Sequence, residues 1–162
     1  AVENIITNGV LNYATESVKN LFSTGSFSTN KPAVSLVKEM ILNTSELSLC
    51  STLLALSARN ETCTDLPGIN VPVLIFVGSE DTITPPVYAQ FMHENIKNST
   101  LQVIEGAGHL SNLENSEVFN HHLLLFFDSV YKNQLISSHS PDNTILRDLR
   151  NKLNMLLSFR SI

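Results

Sequence analysis

Two short words in the sequence carry side chains able to do chemistry together: Pro72-Val73-Leu74-Ile75-Phe76-Val77-Gly78-Ser79-Glu80-Asp81, with Pro85 just downstream, and Gly106-Ala107-Gly108-His109. An aspartate placed just past the carboxyl end of a buried strand sits at the rim where parallel sheets hold their ligands. The histidine follows a turn of small residues that lets the backbone bend sharply. A carboxylate that accepts a hydrogen bond from one imidazole nitrogen fixes the tautomer and leaves the other nitrogen free to take a proton. Asp81 is therefore the expected orienting acid and His109 the expected general base. Taken singly, each has a plain explanation, since aspartate after a strand is common turn chemistry and a lone histidine beside glycine usually faces solvent. Their order and framing single them out. His93, His121, His122 and His139 lack that framing and are expected to be solvated helix or loop residues.

The elements that would position this pair follow from the apolar pattern. Residues 71–77 form a continuous, β-branched run, the signature of a strand covered on both faces in a parallel sheet, and Gly78 ends it. A helix is predicted over 85–96, a second short strand over 101–104, and a helix from Asn115 or Ser116 to about Tyr131, with Glu117 in its first turn. Strand, helix, strand, helix is the order of an α/β sheet. Before it, Ile5, Ile6, Val10, Tyr13, Ala14, Val18, Leu21 and Phe22 recur at helical spacing, and 23–30 reads as a loop. A second helix starts near Lys31 and Pro32 and buries Val34, Val37, Met40 and Ile41. A third, capped by Thr44 or Ser45, runs towards Arg59 with Leu49, Leu53, Leu54 and Leu56 inward. Beyond a polar stretch at 137–143, Ile145, Leu149, Leu153 and Leu156 line one face of an expected amphipathic helix over 144–159. The pattern thus divides the chain into a helical segment 1–60, an α/β segment 61–131 and a tail 132–162.

At this level the sequence resembles the α/β-hydrolase superfamily. Pro-Val-Leu-Ile-Phe-Val-Gly-Ser-Glu-Asp with Pro85 is similar to the family's penultimate strand and acid turn. Gly-Ala-Gly-His-Leu, followed by Asn112, Glu114 and Phe119-Asn120, is similar to its last strand, histidine turn and closing helix. The helices before Asn60 resemble its cap, particularly that of 3-oxoadipate enol-lactonases and similar small ester or lactone hydrolases. The resemblance covers about residues 2–131, strongly from Val71 onward. It implies the C-terminal part of an α/β-hydrolase fold, the last two parallel strands with flanking helices preceded by a helical cap or lid. It further implies a serine-type hydrolase acting on a small carboxylic ester, lactone or thioester, with Asp81 and His109 as triad members.

The nucleophile is missing from this pattern. The family places it on a strand-to-helix elbow written Gly-x-Ser-x-Gly, upstream of the acid and the histidine. The six glycines here stand at 9, 25, 68, 78, 106 and 108, and no two are four apart. Ser26, in Thr24-Gly25-Ser26-Phe27-Ser28, follows an amphipathic helix where the elbow needs a buried strand, so it is rejected. The family's oxyanion-hole donors also lie in its N-terminal half. The expectation is an inactive half that needs a complementary N-terminal half, or that self-associates through an open sheet edge. Two alternatives stay open: a non-catalytic hydrolase-like binding module, and a relative of the haloalkane dehalogenases and epoxide hydrolases, which use an aspartate nucleophile.

Composition limits the remaining classes. With 162 residues, 43% of them hydrophobic, a packed core is expected rather than disorder. A net charge of -5 without Lys/Arg blocks argues against a nucleic-acid partner. The apolar runs are far shorter than the roughly 20 residues that cross a bilayer. Residues 1–12 lack the basic start and apolar core of a secretory signal, so a soluble, cytoplasmic protein is expected. Cys50 and Cys63 fit neither a disulfide framework nor a zinc site, and no phosphate-binding glycine loop appears, so no metal or organic cofactor is expected.

Overall fold

Strand β1 (Val73–Gly78) pairs in parallel with β2 (Ser99–Ile104), from Val73 opposite Ser99 to Gly78 opposite Ile104. Parallel strands need a crossover, and helix α5 (Pro86–Asn95) supplies it. Pro72 lacks the N–H that a ladder requires. The strand therefore begins at Val73, whose N–H reaches the Asn98 carbonyl at 2.9 Å, two residues later than the apolar run suggests. The pleat sends Ile75 and Val77 to one face, where they pack with Ala89 and Ile96, flanked by Leu66, Ile69, Val73 and Leu101. Burying one such aliphatic side chain is worth about 2 kcal/mol. On the opposite face Leu74 and Phe76 are only half-buried, so the expected cover on both faces is incomplete. Phe76 stacks on Phe119 there, with ring centroids 4.0 Å apart.

This computed structural model describes residues 1–137 and Asn151. The expected helix over 144–159 lies outside the described residues. The chain divides into two units, Ala1–Phe119 and Asn120–Ile162. Everything that positions Asp81 and His109 belongs to the first. Helix α7 (Ser116–Ser137) starts in the first unit and continues into the second.

Ahead of the sheet, α1 (Val2–Leu21), α3 (Lys31–Leu42) and α4 (Glu46–Ser57) form a helical layer, with α1 packed against α3 and α4. Helix α1 is interrupted at Gly9, whose φ of 79° and ψ of 165° lie outside the helical region and are open in practice only to glycine. Residues 23–30, expected to be all loop, contain a single helical turn, α2 (Ser26–Thr29). Helix α3 starts at Lys31, where Pro32 places it, and α4 follows Ser45 as expected. The Asn30 side chain accepts from the Ala33 N–H, and the Ser45 hydroxyl accepts from the Ser48 N–H. Val37 joins Val18 and Phe22 in a second core, with Val34, Ile41, Leu110 and Leu113 packed against it. Met40, Leu54 and Leu56, expected inward, are exposed, and so is Leu47 at 77%. A periodic apolar stripe specifies a buried face only where a partner element covers it. Two short helical pieces escaped the pattern: a 3-10 turn at Cys63–Gly68 and α6 (Ser111–Glu114).

Among the described residues no single helix is long and apolar enough to cross a membrane. The pair α3 and α4 together reaches the length and composition, but it bends by 100° between the two helices.

Candidate functional site

The end of β1 and the turn after β2 are stitched together before any functional side chain is placed. The Ser79 N–H donates to the Ile104 carbonyl (3.0 Å) and the Glu80 N–H to the Ala107 carbonyl (2.9 Å). In return the Gly106 N–H donates to the Ser79 hydroxyl oxygen at 2.9 Å. Gly106 has φ 69°, the left-handed conformation that reverses the chain after β2. Gly78 and Gly108 are needed for contact instead: a side-chain carbon at either would come within 3 Å of backbone atoms, those of 107–108 in the first case and those of 22–23 in the second.

Asp81 and His109 meet across this seam. The carboxylate is buried, 6% exposed, and four donors converge on it. Its Oδ1 accepts from the N–H groups of Ile83 and Thr84, both at 2.9 Å. Its Oδ2 accepts from the Thr84 hydroxyl at 2.8 Å and from His109 Nδ1 at 2.9 Å. An ionised carboxylate only accepts, so Nδ1 carries a proton, and in the neutral ring the lone pair lies on Nε2. The His109 side chain remains one-third exposed while that of Asp81 is 4% exposed, which leaves the imidazole open to a reacting group. The Thr84 hydroxyl also lies 3.2 Å from Nδ1, so it braces both partners.

Burial pushes the Asp81 carboxyl upward in pKa. The backbone N–H of Thr84, then His109, the Thr84 hydroxyl and the Ile83 N–H pull it down and prevail, so it titrates below the ordinary aspartate value. A group that binds its proton less readily when folded stabilises the fold above its unfolded pKa, and that stability is lost as pH falls through the folded pKa. Urea unfolding between about pH 5 and pH 3 should therefore show an acid-side loss that Asp81→Asn flattens. Parallel losses in the two proteins would refute this.

Thr84 escaped the sequence reading, although Asp81-Thr82-Ile83-Thr84 ahead of Pro85 has the form of an aspartate capping its own turn. His93, read as a helix residue, lies at the end of α5 with Nδ1 2.8 Å from the Ser99 hydroxyl; it does not approach the pair. His121 and His122 are neighbours on α7, ring against ring at 5.5 Å, and His139 lies outside the described residues. Ser26 is buried, and its hydroxyl donates to Glu114 at 2.7 Å. Among the described residues no group of three or more His, Cys, Asp or Glu is placed to hold a metal ion. An open cavity of about 320 Å³ lies between α1 and the acid turn, lined by Tyr13, Ser17, Asn20, Leu21, Thr82 and Ile83.

A carboxylate and an imidazole thus meet at the carboxyl ends of adjacent parallel strands, next to the end of α1. Residues 11–116 match the alpha/beta hydrolase fold family, and the chain belongs to it. In sequence it is 45% identical over 56 residues to 3-oxoadipate enol-lactonase 2 of Acinetobacter baylyi, a stretch covering 35% of this chain and 21% of that protein. It is 43% identical over 54 residues to a pimeloyl-[acyl-carrier protein] methyl ester esterase of Neisseria meningitidis, covering 33% and 21%. Among solved structures, a thermophilic esterase from Thermogutta terrifontis superposes with a TM-score of 0.74 at 26% identity, over 80% of this chain and 47% of that one. The chain thus spans about half the length of the solved structures it resembles, and its sequence matches cover about a fifth of the curated relatives.

Proposed function

We propose that the complete protein is a serine-type hydrolase of a small carboxylic ester, lactone or thioester, to which this chain contributes the acid and the base. The observation that carries the reading is the 2.9 Å bond from His109 Nδ1 to Asp81 Oδ2 at the rim of a parallel sheet. Similarity to an enol-lactonase and to methyl ester esterases supports the ester-type substrate class. His109 Nε2 takes the proton of the attacking hydroxyl and returns it to the leaving group, while Asp81 holds the tautomer and stabilises the imidazolium. The cavity beside Thr82 and Ile83 receives part of the substrate, and the helices before Asn60 act as its cap. The seryl nucleophile and the oxyanion-hole donors come from an N-terminal half.

Three observations favour that complementary half. No Gly-x-Ser-x-Gly occurs in the sequence, β1 pairs only with β2 among the described residues, and the chain spans about half the length of its structural neighbours. Its presence would pair the open strand edge and cover exposed apolar side chains. The cytoplasm is the proposed compartment. Isolated, the chain should leave p-nitrophenyl esters unhydrolysed and fluorophosphonate unreacted. Joined to the N-terminal half it should gain both activities, with labelling on the elbow serine. Labelling that persists undiminished in His109→Ala would count decisively against His109 as the base.

A further inference from the structure

The carboxylate of Glu114 does more than its place in a one-turn helix requires. Its Oε1 accepts from the Gly108 N–H at 2.7 Å, one residue before His109. Its Oε2 accepts from the Ser23 N–H and from the Ser26 hydroxyl, each at 2.7 Å. Both serines are buried, and they sit where α1 gives way to α2. One carboxylate therefore binds the histidine turn to the exit of the helical layer. The same two segments meet directly: the N–H groups of His109 and Leu110 donate to the Leu21 carbonyl, at 2.9 and 3.3 Å. Gly108 is pressed so close that an added side-chain carbon would lie 2.7 Å from the Ser23 nitrogen. A fourth tie runs from the Asn30 side chain to the Leu113 carbonyl at 2.9 Å.

We infer that Glu114 is a positioning residue for His109, and that its carboxylate sets the imidazole at bonding distance from Asp81 by clamping the Gly106–His109 turn to the end of α1. The inference rests on the Asp81–His109 pair being the working acid and base. The physical reason is that the turn backbone is held on one side by the acid loop, through the Glu80 to Ala107 bond, and on the other by Glu114 and Leu21. Charge-assisted bonds are the strongest of these, so removing the charge loosens that side of the turn, leaving the Leu21 carbonyl to hold it alone. A neutral glutamine offers one accepting oxygen and one donating NH2 group where three donors point at two oxygens, so at least one N–H or O–H then faces another donor.

The test reads the geometry rather than turnover. A histidine Nδ1–H bonded to a carboxylate gives a far-downfield proton resonance, assigned here by its disappearance in His109→Ala. Glu114→Gln should abolish or broaden it while circular dichroism stays unchanged, and Gly108 amide exchange should accelerate about tenfold. Glu117→Gln, at an exposed neighbouring glutamate, should leave both signals intact. Retention of the resonance and of Gly108 protection in folded Glu114→Gln would overturn the inference. If that variant fails to fold, Glu114→Asp keeps the charge but shortens the arm that spans Gly108 and Ser23 by one methylene, and an unaltered resonance there overturns it equally. Absence of the resonance from the wild-type chain would instead refute the Asp81–His109 pairing, and the role of Glu114 with it. Its presence in wild type and in folded Glu114→Gln alike refutes the role alone.

Discussion

For the proposed hydrolase, assembled with an N-terminal half, Asp81→Asn should lower kcat by about ten-thousandfold with little change in KM. Four donors point at the Asp81 carboxylate: two backbone N–H groups, the Thr84 hydroxyl and His109 Nδ1. An amide has one accepting oxygen. If that oxygen stays on the two backbone donors, its NH2 group faces His109 and favours the tautomer with the proton on Nε2, which cannot accept from a nucleophile. The residual rate would come from the nucleophile's own environment and substrate binding. Steady-state kinetics on ester substrates, with circular dichroism to establish that the variant folds, measures this directly. A kcat within about tenfold of wild type would mean that the Asp81–His109 bond supports the fold and not the reaction.

The second large effect is structural. Gly78→Ala should destabilise the chain by about 3 kcal/mol or more, near the upper end for overpacking. The new methyl carbon would stand 2.1 Å from the Gly108 carbonyl oxygen and 2.3 Å from that of Ala107. Both are backbone atoms, so no side chain can swing aside. The turn itself must move, and with it the Glu80 to Ala107 bond and the placement of His109. Gly68→Ala is the matched control, since nothing lies within 4 Å of its added carbon and its φ is not positive. Urea midpoints of the two variants should separate clearly. Equal midpoints would mean that the seam between β1 and the histidine turn yields cheaply.

Much of this arrangement is legible in the residues. The run through Val77, the proline before it and the Gly-Ala-Gly turn place two strands and their ends to within two residues. Pro32 marks one helix start because its fixed φ suits the first turn, and Ser45 marks the next because its side-chain oxygen satisfies an N–H that the first turn leaves unpaired. Helix α6 was hidden because four residues cannot display a period. The inward assignment of Met40, Leu54 and Leu56 failed for another reason. Those side chains are apolar at the correct spacing, yet no described element covers them. Thr84 and Glu114 stand in plain view in the sequence, but nothing local says what they reach. Ser23 and Ser26 lie 91 and 88 residues from Glu114 along the chain.

By itself the sequence determined which side chains are available: an aspartate after one strand, a histidine after the next, and no Gly-x-Ser-x-Gly among its residues. Periodicity and turn residues act over a few positions, so they also marked the longer elements and most of their starts, although α7 runs to Ser137, past the expected end near Tyr131. Only the tertiary structure decided that Asp81 Oδ2 lies 2.9 Å from His109 Nδ1, that Thr84 braces both, and that a glutamate ties the histidine turn to the first helix. Those distances depend on how β1 and β2 align and how closely glycine backbones pass, and such contacts exist only once segments far apart in sequence have packed together.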